Sequence, residues 1–186
     1  MRYTALLGAI GTMCALATAN ASAQGITHAV ITLDDSYILG VRASVDQEEI
    51  ETARWAATHG STKPVRDFAQ SLLRGHANAQ NAAKDLAAQF KTELKIPGDT
   101  SQAITKRGAA ARASLRRLSG AKFDRAFLIA IRDEHTSEID KVNNWYASVA
   151  ASDSVKAYLH AIMPTLVKHQ QTAEQLLTGK RPAAVR

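Results

Sequence analysis

Residues 119–142 read Ser-Gly-Ala-Lys-Phe-Asp-Arg-Ala-Phe-Leu-Ile-Ala-Ile-Arg-Asp-Glu-His-Thr-Ser-Glu-Ile-Asp-Lys-Val. Apolar residues recur at Phe123, Phe127, Ile131, Ile139 and Val142, three, four or eight apart, which is one face of an α-helix. The same row continues to Tyr146. One position in it is not apolar: four residues after Ile131 stands His135.

Working outward, three more long stretches carry the same period. The first, from about Asp34 to His59, places Ile38, Val41, Val45, Thr52 and Ala56 on one face. Asp34 or Asp35 can cap its start, and Gly60 suits its C′ position. The second opens at Pro64 and carries Val65, Phe68, Leu72, Ala79, Ala83 and Leu86, with Pro97-Gly98 as its stop. The fourth follows Asp153 as N-cap and carries Val155, Leu159, Ile162, Leu166, Ala173 and Leu176 up to Gly179 and Pro182. Between the second and third lies a weaker pattern, residues 99–120, with Asp99-Thr100-Ser101 as its cap region and Ile104, Ala111, Leu115 and Leu118 recurring. No stretch alternates with period two for long enough to predict a strand. Low aromatic content, 5%, agrees with close helix packing. The expectation is an all-α chain: an antiparallel four-helix bundle over residues 34–179, with a short extra helix between helices two and three.

The first 23 residues read as a secretory signal peptide. Arg2 is the positive n-region, an apolar stretch runs from Tyr3 to Ala19, and Ala21-Ser22-Ala23 is an A-x-A cleavage site. The stretch is shorter than the roughly 20 residues a membrane span needs. Cleavage leaves 163 of the 186 residues, removes Cys14, the only cysteine, and predicts a soluble periplasmic or secreted protein. Cysteine catalysis and thiolate metal sites are thereby excluded. Residues 24–33 are an N-terminal extension and 180–186 a basic tail.

Each long helix breaks its apolar row with one metal-ligand type. Glu49 follows Val41 and Val45, His76 follows Phe68 and Leu72, His135 follows Phe127 and Ile131, and His169 follows Ile162 and Leu166. Their heights along antiparallel helices nearly coincide at 1.5 Å rise per residue. Three imidazoles and a carboxylate suit one transition-metal ion: Zn, Cu, Mn or Fe. Glu138, three after His135, and Glu134 beside it are supplementary candidates. The metal-free alternative is a buried Glu–His hydrogen-bond network. His28, His59 and His160 read as surface residues. Pro164 either kinks the fourth helix and aims His169 inward or marks a restart.

The formal net charge is +6. The acid-free run of Lys106, Arg107, Arg112, Arg116 and Arg117, and the tail Lys180, Arg181 and Arg186, offer a basic surface. Arg112, Arg116 and Arg117 are the candidates for meeting an anionic envelope surface. Export and the lack of interleaved aromatics argue against nucleic acid. No nucleophile elbow, P-loop or dinucleotide fingerprint occurs, so an enzyme is not the favoured reading.

Ser119-Gly120-Ala121-Lys122-Phe123-Asp124-Arg125-Ala126-Phe127 followed by Asp133-Glu134-His135 resembles the central motif of the domain-of-unknown-function 4142 family. Phe68-Ala69-Gln70 leading to His76, and Met163-Pro164-Thr165-Leu166-Val167-Lys168-His169, match it as well. The resemblance spans roughly residues 33–178 and implies a ferritin-like helical bundle of an exported bacterial protein. The family commonly has an acid just before its first histidine, where this chain has Arg74-Gly75-His76. A di-iron centre needs two Glu-x-x-His pairs, and the sequence has none, only the reversed His135-Thr136-Ser137-Glu138. A ferroxidase is therefore disfavoured. With only Met163 left after cleavage, so is a methionine-rich copper carrier.

Overall fold

A computed structural model describes residues 32–179. The stretch read as a signal peptide, most of the expected N-terminal extension and the basic tail lie outside the described residues. Helices are α1 (Leu33–His59), α2 (Lys63–Gln89), α3 (Gly98–Leu115), α4 (Gly120–Lys141), α5 (Ala147–Val149) and α6 (Asp153–Leu177), with a π-helical turn, Val142–Tyr146, between α4 and α5. Among the described residues there is no strand.

The helix ends show where local chemistry overrides the simplest reading. Thr32, not Asp34 or Asp35, caps α1: its hydroxyl accepts from the Asp35 amide at 3.2 Å, and Asp35 Oδ2 accepts from the Thr32 amide at 3.1 Å. This is a capping box. The Asp35 carboxylate also accepts from the amides of Ala151 and Ser152 at 3.0–3.3 Å. It thus ties the start of α1 to the loop before α6, where Ser152 rather than Asp153 is the N-cap. Gly60 ends α1 without a left-handed twist, at φ −57°. α2 stops at Gln89, well before Pro97-Gly98, because Lys91 turns left-handed at φ 52°; Pro97 instead precedes α3. α6 continues through Pro164, so no new helix begins there.

Residue pairing fixes the directions. Gln80 donates to the Ala43 carbonyl, His76 meets Asp46, and Arg66 donates to the Gly60 carbonyl, so α2 runs antiparallel to α1. Arg132 meets Glu174 and His135 meets His169, so α6 runs antiparallel to α4. Asp124 on α4 accepts from both amides and both hydroxyls of Ser61 and Thr62, closing the α1–α2 turn onto α4 at 2.7–3.2 Å.

The core is in two parts. One holds Ile38, Leu39, Val45, Tyr146, Val155, Leu159 and Leu166; the other holds Ala53, Ala56, Phe68, Leu72, Phe123, Phe127 and Ile131. Between them lies a layer of buried polar side chains: Arg42, Asp46 and Glu49 from α1, His76 from α2, His135 and Glu138 from α4, and His169 from α6. All seven are at most 3% exposed, which burial without partners would not permit.

Candidate metal centre

The three imidazoles come together. Their ring centroids form a near-equilateral triangle, 5.3 Å for His76–His135 and 5.2 Å for each of the other two sides. Each offers one nitrogen within 4.8 Å of the others'. His135 Nε2 and His169 Nδ1 stand 3.2 Å apart. Two nitrogens bound to one tetrahedral ion at 2.0–2.1 Å would be about 3.3 Å apart.

Neighbours set which nitrogen of each ring faces inward. His76 Nδ1 donates to Asp46 Oδ1 at 2.9 Å, and its Nε2 is buried with no hydrogen-bond partner. His135 Nδ1 donates to the Ile131 carbonyl at 3.0 Å, which leaves a lone pair on Nε2 when the ring is neutral. A carboxylate or carbonyl on the far nitrogen is the usual way to fix a metal-ligating imidazole. His169 owes its place to Gly75: a Cβ there would lie 2.6 Å from His169 Cε1. Arg74-Gly75-His76 thus replaces an acid by open space, and α1 supplies the acids instead.

Glu49 takes a different position from the one its row suggests. Its Oε2 is 2.8 Å from His76 Nδ1 and its Oε1 is 3.6 Å from His135 Nδ1. It therefore lies on the outer edges of two rings and groups with Asp46 and His76 rather than with the triangle of nitrogens. Neither oxygen is aligned for a hydrogen bond. Glu138 turns away from the imidazoles altogether. It pairs with the Arg42 guanidinium and, at 2.7 Å, with Lys141. Glu134 lies at the edge, 3.5 Å from Arg107.

Two residues of the layer were not among the sequence candidates. Arg42 pairs with Glu138 and, at 3.0 Å, with Asp46, and is 0% exposed. Asp46, also 0% exposed, serves both Arg42 and His76. Arg42, Asp46 and Glu49 are spaced four and three apart, a helical row that itself signals a shared face. With neutral imidazoles, three carboxylates (Asp46, Glu49 and Glu138) meet the Arg42 guanidinium and, at Glu138, the Lys141 ammonium, which leaves an excess of one negative charge.

The electrostatics agree with that excess of negative charge. Burial alone would raise the Glu49 carboxyl, but His76 and His135 outweigh it and hold it well below the usual carboxylate range. Burial likewise opposes a charge on His76, yet Glu49 and Asp46 lift it to about 10. Burial, aided by the His76 charge, drives His169 down to about 3. Burial also lowers His135. The metal-free layer therefore takes up a single proton, on His76, which offsets the remaining negative charge.

Of the basic candidates, Arg112 is bound to Glu48 at 2.6 Å and Arg116 lies over the Trp55 ring at 5.0 Å, while Arg117 is exposed. His59 stacks on Trp55 and His160 is exposed.

A family model described as a domain of unknown function, DUF4142, matches residues 17–176. No curated protein matches the chain. Among solved structures, the fold is similar to the crystal structure of a DUF305 fragment from Deinococcus radiodurans, with a TM-score of 0.68 and 13% identity. That match covers 81% of this chain and 99% of the other.

Proposed function

The chain belongs to the DUF4142 family, and from that premise we propose that it is an exported protein that holds one divalent first-row transition metal. The ligands are His76, His135 and His169. Asp46 and Glu49 orient the rings and, with Glu138, supply the negative charge. The four long helices are read as an antiparallel, ferritin-like bundle, with α3 as the extra helix in the central connection. The observation that carries the reading is the convergence of one nitrogen from each of three helices within 4.8 Å, with His76 Nε2 left unpartnered in the interior. The negative charge of the layer with neutral imidazoles supports the same reading.

An all-nitrogen set suits Zn or Cu(II) best, with Mn and Fe weaker. Its burial between two apolar clusters favours retention, hence sequestration or envelope stress tolerance, over turnover of a substrate. A metal-free protein acting through its basic surface is disfavoured at two of the three arginines, because Arg112 and Arg116 already have partners.

Elemental analysis of untagged protein, with melting curves in chelator and in added metal, tests the reading. A stoichiometric metal is expected. At 100 times Kd it stabilises by about 2.7 kcal/mol, a rise of about 5–10 °C in a domain of this size. His135→Ala removes both effects. Metal content unchanged in that variant would reject the site.

A further inference from the structure

His76 presents its two ring nitrogens to two different sets of neighbours. Nε2 is the one left for His135 and His169, because Nδ1 faces the acids of α1. Nδ1 lies 2.9 Å from Asp46 Oδ1 and 2.8 Å from Glu49 Oε2. One ligand atom each from Asp46, Glu49 and His76 falls within 4.8 Å of the others', as it does in the three-histidine group. His76 is the residue common to both groups.

The acids on this edge are under-served by the protein. A proton on Nδ1 is aligned with Asp46 and not with Glu49. Both oxygens of Glu49 and Oδ2 of Asp46 are buried and make no hydrogen bond. Glu49 is 2% exposed and Asp46 0%. Buried carboxylate oxygens without a donor are costly, and a cation would serve several of them at once. Neighbouring ligands on an octahedral ion at 2.0–2.1 Å stand about 3.0 Å apart, close to the His76–Glu49 separation. Arg42 holds Asp46 through Oδ1 and leaves Oδ2 free. Asp46 and His76 also line a cleft of about 180 Å³, with room for the waters that such an ion keeps.

We propose that Asp46, Glu49 and His76 Nδ1 form a second cation seat, filled in alternation with the three-nitrogen seat and taken by harder ions; the first seat rests on the three-histidine reading above. Two carboxylates and one imidazole suit Mn(II), whereas three imidazoles suit Zn(II) or Cu(II). The seats exclude one another because a neutral imidazole has one lone pair. His76 ligates through Nε2 with its proton on Nδ1, or through Nδ1 with its proton on Nε2. Charge sets the same limit. One divalent ion already reverses the layer's excess of one negative charge, and a second would add two more positive charges beside buried Arg42. The layer thus holds one ion, and the ion's chemistry decides which side of His76 it occupies.

The test is equilibrium dialysis of the untagged protein against Zn(II) and Mn(II), singly and together, with bound metal read by elemental analysis. Each ion alone binds stoichiometrically, and together their sum does not exceed one per chain. His169→Ala removes a Zn(II) ligand only, so Zn(II) binding is lost while Mn(II) affinity stays within about threefold. Glu49→Gln leaves all three nitrogens and the Asp46–His76 bond, so it weakens Mn(II) at least about tenfold more than Zn(II). Mn(II) lost together with Zn(II) in a folded His169→Ala, or Mn(II) indifferent to Glu49→Gln, would put both ions on the nitrogens and overturn the second seat while sparing the first. Zn(II) binding without any Mn(II) binding would do the same. One of each ion bound at once would overturn the alternation. Mn(II) binding without Zn(II) would overturn the three-histidine reading instead, and binding of neither would overturn both.

Discussion

Gly75 lies in the middle of α2, where glycine is about 1 kcal/mol worse than alanine. Replacing it should stabilise an ordinary helix by that amount. Here the new Cβ would lie 2.6 Å from Cε1 and 3.0 Å from Nε2 of His169, and 3.1 Å from Thr165 Cγ2. Carbon atoms in contact prefer about 3.5–4.0 Å, so the imidazole must retreat by roughly 1 Å. Overpacking of this kind costs about 1–3 kcal/mol, which the helix gain partly offsets. Gly75→Ala should therefore leave a folded protein destabilised by about 0–2 kcal/mol without metal, a Tm lowered by at most about 8 °C. Metal binding is far less forgiving, because ligand distances tolerate only about ±0.2 Å. Loss of a group that positions a ligand usually costs about 10–100-fold in affinity, and that is the expected loss here. Competition with a chromophoric chelator gives the affinity, and a melt in chelator gives the stability. Gly75→Ala that binds metal as tightly as the parent, or gains the full helix benefit in stability, would refute the reasoning. His169 would then have room to spare.

Arg42→Met strips Asp46 and Glu138 of their buried partner and should cost about 3–5 kcal/mol in urea unfolding, with Glu138→Gln in the same chain recovering part of it. A loss below about 1 kcal/mol would mean that the carboxylates are solvated. The metal-free protein should be most stable near pH 6.5. Below that value the unfolded chain protonates its histidines while His169 resists down to about 3, so stability falls with acid. Glu134, which burial raises to about 7, opposes part of this change. Above 6.5 the folded chain keeps a proton on His76 that the unfolded chain releases, so stability falls as pH climbs towards about 10. Urea midpoints at several pH values check both limbs, and a curve still rising from pH 7 to 9 would contradict the His76 assignment.

The helical rows found the long helices and the inward Glu49, His76, His135 and His169, because a four-residue step along one face survives folding unchanged. The roles within the layer were harder to read. Glu138 shares a face with His135, but the buried guanidinium of Arg42 lies nearer to it than the imidazoles do. Arg42 and Asp46 were missed because α1 is packed on by both α2 and α3 and reached by Glu138 of α4, so apolar Val41 and Val45 and charged Arg42 and Asp46 are all buried. A single stripe drawn through the valines cannot show that. Helix ends failed where a distant group decided them, as with Asp35 and the Ala151–Ser152 amides. The π-helical turn at Val142–Tyr146 keeps both Val142 and Tyr146 buried, so the apolar pattern passes through it without a mark.

The division of the core has a consequence for cooperativity. A protein with one continuous apolar interior melts as a unit, since no part can open without exposing the rest. This chain has two such interiors joined across an ionic seam. The four long helices cross the seam, and α3 links the halves as well, with Ile104 in one and Leu115 in the other. Without a cation the seam is held by buried ion pairs of Arg42 and protonated His76 with the carboxylates, in place of apolar contacts. An ion placed there contributes to neither half alone; its whole binding energy goes into the coupling between them. The availability of metal would thus set how far the two halves behave as one folding unit, as well as how stable the fold is.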